Sequence, residues 1–198
     1  MNRLRIILLL ALGHGVTDIY PGLLSPFLPI FTDRYGWSIT RAGILVTVLQ
    51  LTSNLSQPFF AVFNDHRPTR SIMWLGLVIS GLPFCFMLSI DSFPAVALLL
   101  TVCGIGVGMY HPSGVTAAGR IAAGTRTGSL LGMFTAGGLI GFTIAPLIAV
   151  LFIEVIGERY LPLVLLPAIL TGITIALDRD IPLPKGHGYT VREWSVSL

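Results

Sequence analysis

Apolar runs and short polar breaks alternate along this chain. Six runs stand out, at about Leu4–Phe31, Ile39–Phe63, Ile72–Ile90, Phe93–Ala118, Gly128–Ile153 and Tyr160–Leu177. Between them lie breaks such as "TDRYGWS" and "NDHRPTRS". About 20 apolar residues carry a helix across the roughly 30 Å hydrocarbon core of a bilayer. The runs are continuous rather than alternating, and far longer than a barrel strand. The pattern predicts an all-α membrane protein with six transmembrane helices over residues 1–177. A polar tail follows from Asp178, "DRDIPLPKGHGYTVREWSVSL", read as a cytoplasmic linker or frayed end.

Composition agrees with that reading. Of 198 residues, 54% are hydrophobic and 11% charged, against about 25% charged in a soluble domain; mean hydropathy is +0.84. The opening "MNRLRIILLLALG" has the basic start and short apolar stretch of a signal peptide. Apolar character resumes after Asp18 and runs to Phe31, so no small-x-small site there is followed by a soluble domain, and the segment is read as a span. Cys85 and Cys103 lie in apolar runs without CxxC spacing and are read as buried free thiols.

Charge then sets orientation. With both termini cytoplasmic, nine cationic residues fall inside (Arg3, Arg5, Arg67, Arg70, Arg120, Arg126, Arg179, Lys185, Arg192) and three outside (Arg34, Arg41, Arg159). The opposite placement inverts the positive-inside bias. The expected location is therefore the inner or plasma membrane, multi-pass, with cytoplasmic termini. No basic cluster with interleaved aromatics points to nucleic acid.

Several polar residues fall inside the runs. His14 and Asp18 are four apart and share a helix face. An ionisable group at mid-bilayer costs at least about 2.5–3.5 kcal/mol, so such groups face the bundle interior or a watery path. A carboxylate and an imidazole can both exchange protons near physiological pH, which makes the two the proton-site candidates. Pro21, Pro26 and Pro29 are expected to bend or break the helix just beyond them. Asn54 and Gln57 share a face in span two before Pro58, and Pro112 is expected to interrupt span four beside His111. Asn54, Gln57 and His111 are the substrate-cavity candidates; interhelical hydrogen-bond glue is the plainer reading of each. In span five, Gly128, Gly132 and Ala136 form one small-residue ridge, and Gly137, Gly141, Ala145 and Ala149 another, read as helix-packing surfaces. Gly104 and Gly108 make a shorter version in span four.

Taken in order, these motifs resemble the amino-terminal half of a major facilitator superfamily transporter, and within it the fosmidomycin-resistance-type efflux branch. His-x-x-x-Asp followed by Pro26-x-x-Pro29, "SNLSQPFF" and "MYHPSG" carry the branch resemblance. "AVFNDHRPTR" is similar to the superfamily's loop motif between spans two and three, with the acid at Asp65 and a base at Arg70; the resemblance implies a conformational latch there. Ala61, His66 and Pro68 depart from that motif. Gly132, Gly141 and Ala145-Pro146 resemble the antiporter motif of span five, with Ala145 replacing a glycine. Leu100 stands where the superfamily has an arginine.

The resemblance implies one six-helix half, itself a 3+3 repeat, of a twelve-span fold that exports a small molecule in exchange for protons by alternating access. The partners implied are the bilayer, the substrate and protons, and a second six-helix half. That half is either a second copy in parallel orientation or a separate carboxy-terminal half; a natural half-transporter and a truncated chain both fit. No cofactor or metal is expected, since His14, Asp18 and His111 are scattered along the sequence without a clear fourth ligand. An enzyme is accordingly not expected. The alternative is a non-transporting remnant or assembly subunit whose polar residues only pack helices.

Overall fold

The computed structural model describes residues 2–66, 70–124 and 127–182. Six α-helices run in chain order: α1 (Arg3–Tyr35), α2 (Ile39–His66), α3 (Arg70–Gly81), α4 (Phe93–Ala122), α5 (Thr127–Val150) and α6 (Leu166–Leu177). There is no strand among the described residues. Among the described residues, five helical segments are long and apolar enough to cross a membrane: Arg3–Tyr35, Arg70–Ser89, Phe93–Ala122, Thr127–Ile156 and Glu158–Leu177. α2 has 28 residues and, at 1.5 Å per residue, spans about 42 Å. Length is not what separates it from the other five. Its apolar run is diluted by Gln50, Asn54 and Gln57.

The prolines do not break their helices. α1 continues through Pro21, Pro26 and Pro29, α2 through Pro58 and α4 through Pro112. This corrects the expected interruptions. A proline deletes one donor, but the bonds on either side of it remain. In α1 the buried side chains Tyr20, Leu23, Leu24 and Phe27 hold the flanking turns against the bundle.

Winding changes elsewhere instead. The segment Arg70–Ser89 ends as α-helix at Gly81 and continues as 3-10 turns over Leu82–Cys85 and Met87–Ser89. Pro83, in the first turn of that stretch, has no N–H for an α-type bond. The segment Glu158–Leu177 opens as a 3-10 stretch, Glu158–Leu165, around Pro162 before α6 begins. The segment Thr127–Ile156 closes on a π-helical turn, Leu151–Ile156. Gly157 follows at φ 102°, a left-handed value that suits glycine.

α1 is the hub and touches each of the other five helices, most extensively α5. α4 packs against α2 and α3, and α3 also against α6. The hub's Ile6, Ile7, Leu10, Leu23, Phe27 and Phe31 are fully buried. The outer helices turn large apolar side chains outward: Leu147 is 72% exposed, Leu139 66% and Leu170 64%. An apolar exterior of this kind belongs in contact with lipid or with another apolar surface.

The two ends of the bundle differ in charge. At one, Arg3 donates to the Ala123 carbonyl (3.3 Å). Arg5 pairs with Asp178 and Asp180 (3.0 and 3.1 Å), and Arg70 donates to the Arg179 and Ile181 carbonyls. At the other, Arg34 pairs with Glu158, and Trp37 stacks on Phe31 and meets Phe93 edge to face. Arg67, Arg126, Lys185 and Arg192, and with them most of the polar tail, lie outside the described residues.

Candidate functional site

α1 and α4 cross so that His111 of α4 meets the His14–Asp18 face of α1. His111 Nε2 lies 2.9 Å from Asp18 Oδ1, and His14 Nε2 lies 3.3 Å from Asp18 Oδ2. One carboxylate thus bridges two imidazoles, whose rings sit edge to face at 5.0 Å. All three side chains are mostly buried, at 14%, 18% and 22% exposure for His14, Asp18 and His111.

α5 completes the site. His14 stacks on Phe134 with ring centroids 4.5 Å apart, and His14 Nδ1 lies 2.9 Å from the Phe134 carbonyl oxygen. A carbonyl only accepts, so Nδ1 carries the proton and donates. Room for the pair comes from Gly138. A Cβ at that position would stand 2.6 Å from both Asp18 Oδ2 and His14 Nε2. Behind the site, the buried Tyr110 hydroxyl donates to the Leu10 carbonyl at 2.7 Å, pinning α4 to α1.

Asp18 and His111 form one wall of a cavity of about 310 Å³. α2 supplies Gln50, Ser53, Asn54 and Gln57 to its lining, while Pro21, Gly138 and Phe142 come from α1 and α5. Gln50, Asn54 and Gln57 recur at the spacing of one helix face. All five polar residues singled out from the sequence in spans one, two and four therefore meet in one place, with His14 just behind the wall. The sequence reading missed Gln50, Ser53, Phe134 and Gly138. Gln50 was signalled by its i, i+4, i+7 register with Asn54 and Gln57. Gly138 and Phe134 carried no signal, because only the crossing of α5 over α1 gives them their role.

The Major Facilitator Superfamily profile matches residues 10–193. The chain belongs to the Major Facilitator Superfamily. It is 26% identical to the fosmidomycin resistance protein of Escherichia coli (strain K12) over 167 residues, 84% of this chain and 41% of that protein. It is 27% identical to the uncharacterized MFS-type transporter YfnC of Bacillus subtilis (strain 168) over 153 residues, 77% of this chain and 37% of that protein. The chain thus spans about two fifths of the length of the curated relatives it matches. Membership makes this an integral membrane protein of a transporter family.

The superfamily-like motifs divide on inspection. Gly141 and Ala145 pack on α1, where a Cβ at Gly141 would overlap the backbone of Gly15 and one at Gly22 would meet Ala145. Gly132 does not share that role. It is exposed, and a Cβ added there would meet nothing within 4 Å among the described residues. The reason is helical phase: Gly132 is nine residues from Gly141, about 180° around the helix. The ridge of Gly128, Gly132 and Ala136 is exposed with it. In the loop motif, Asp65 is exposed, and Arg70 engages the Arg179 and Ile181 carbonyls beyond α6 (2.9 and 3.2 Å). The intervening loop residues, with the motif position Pro68, lie outside the described residues.

The three residues read as scattered metal ligands are scattered only in sequence. In space their donor atoms lie within 4.8 Å of one another.

Proposed function

We propose that this chain is one six-helix half of a transporter that moves a small molecule across the membrane by alternating access, coupled to protons and directed outward. α2 crosses the membrane as well, bringing the spans to six, its polar face turned to the cavity rather than to lipid. His14 and Asp18 form the proton site, while Asn54, Gln57 and His111 contact substrate. Asp65 and Arg70 belong to a latch at the cytoplasmic end. A second six-helix bundle covers the open side of the cavity, related to this one by an axis along the membrane normal. The fosmidomycin resistance protein among its relatives supports export as the direction.

One observation carries this reading: the Asp18 carboxylate sits between two imidazoles on the wall of a cavity that α2 lines with amides. An ionisable carboxylate at membrane depth is costly unless it is paired or used. Pairing alone would not require a cavity beside it. The test is a substrate screen in proteoliposomes with and without an imposed pH gradient. Gradient-dependent movement of a compound against its own concentration difference is the expected result. Transport that ignores the pH gradient for every compound carried would remove the coupling.

A further inference from the structure

We propose that His14, Asp18 and His111 together bind one divalent first-row transition cation, of the kind zinc and cobalt represent, at the wall of the intramembrane cavity. The proposal does not depend on proton coupling.

The first argument is hydrogen-bond accounting. His14 Nδ1 is committed as a donor to the Phe134 carbonyl at 2.9 Å. In the neutral ring, Nε2 then carries a lone pair, and it lies 3.3 Å from Asp18 Oδ2. Two acceptors stand close together there, and a positive species between them relieves their repulsion. A metal ion meets that need, and a ligating histidine characteristically donates its other ring N–H to a carbonyl. The stack of His14 on Phe134 holds the ring in the same orientation.

The second argument is distance. Donors about 2.0–2.2 Å from a shared ion stand about 3.0 Å apart at adjacent octahedral positions and about 3.4 Å apart at tetrahedral ones. The two histidine–carboxylate separations are 3.3 Å to Oδ2 and 2.9 Å to Oδ1. All three donors lie within 4.8 Å of one another, so a closure of at most about 1.4 Å brings them to the tetrahedral separation around one ion.

The donor set decides the metal class. Two imidazoles and one carboxylate suit zinc, cobalt, nickel or ferrous iron, and leave coordination positions open. Calcium and magnesium prefer all-oxygen shells. Access is available as well, since Asp18 and His111 both line the cavity.

The experiment is a Co2+ titration of the purified protein in detergent at fixed pH, followed by visible absorption. The expected result is a d–d band saturating at one ion per chain, displaced by Zn2+ but not by Mg2+. His14→Ala, Asp18→Asn and His111→Gln should each weaken it by about tenfold or more, with elution profile and melting temperature reporting that each variant is folded. X-ray absorption of the zinc-loaded, unsubstituted protein is the arm that needs no variant, and should show two imidazoles in the shell. No saturable Co2+ binding would overturn the proposal. So would binding that survives all three substitutions, which would place the ion elsewhere on the chain, or a shell lacking two imidazoles.

Discussion

Asp18 is held by both of its oxygens, one to each imidazole, so replacing a single oxygen is an informative change. Asp18→Asn keeps the shape and removes the charge. It should leave membrane insertion intact and abolish pH-gradient-driven uphill movement, leaving at most equilibration, as read by flux in proteoliposomes. His14→Ala should shift or weaken the pH dependence of the same flux. Normal uphill transport by Asp18→Asn would move the proton site elsewhere. Gly138 gives a second test. An added methyl would sit 2.6 Å from both the carboxylate and the imidazole, and over-packing of that size costs about 1–3 kcal/mol. Gly138→Ala should therefore impair coupled flux while the protein still inserts and elutes as wild type. Unchanged coupled flux would show that the His14–Asp18 geometry is not needed in this form.

At the scale of elements, the α1–α5 crossing holds the site together, because it brings Phe134 and Gly138 over His14. The helices approach closely through small residues. A Cβ on Gly137 would overlap the backbone of Ala11, and one on Gly15 would stand 2.7 Å from the Gly137 carbonyl oxygen. Backbone on both sides leaves nothing flexible to give way. Gly137→Val should lower stability by about 1–3 kcal/mol or more, whereas Gly132→Val on the opposite face should stay within about 0.5 kcal/mol. Thermal unfolding of the two variants in the same detergent compares them directly. Equal melting temperatures would mean that the crossing is not tight in the membrane.

On the scale of the whole molecule, charge and cavity each make a demand. Arg3, Arg5, Arg70, Arg120 and Arg179 gather at the end where Ala123 and Asp178 lie, and Arg34, Arg41 and Arg159 at the end of Glu158. The positive-inside rule then predicts that the first end faces the cytoplasm. In a variant lacking Cys85 and Cys103, cysteines at Ser38 and Arg159 should react with an impermeant reagent from outside. Cysteines at Ala123 and Asp180 should react only from inside. Outside labelling at Ala123 would reverse the orientation. The cavity asks for a cover. Met by lipid, Gln50, Asn54 and Gln57 would each leave polar groups without partners in hydrocarbon. A second bundle over that face is expected, visible as a dimer or a complex by mass measurement in lipid nanodiscs. A stable lone six-helix monomer that transports substrate uphill would contradict this.

Continuous apolar runs announced helices at membrane depth, because a bilayer admits little else and the length requirement is strict. Polar residues within those runs announced a site, because their cost in hydrocarbon makes them conspicuous. His14, Asp18, Asn54, Gln57 and His111 were all visible on that ground. Helical phase was equally available in the sequence, and it separates Gly132 from Gly141 once the nine-residue step is counted. The partners could not be read in one dimension. Which helix crosses which is set by the fit of small residues against backbone, and that fit alone made Gly138 part of the site. The prolines show the same division. Their missing donors are local facts, but whether a helix breaks depends on the packing around it, and α1 is buried deeply enough to continue as helix through three of them. The joining of two histidines by one carboxylate belongs to tertiary structure too. Ninety-three residues separate Asp18 from His111, and only the α1–α4 contact brings them within reach.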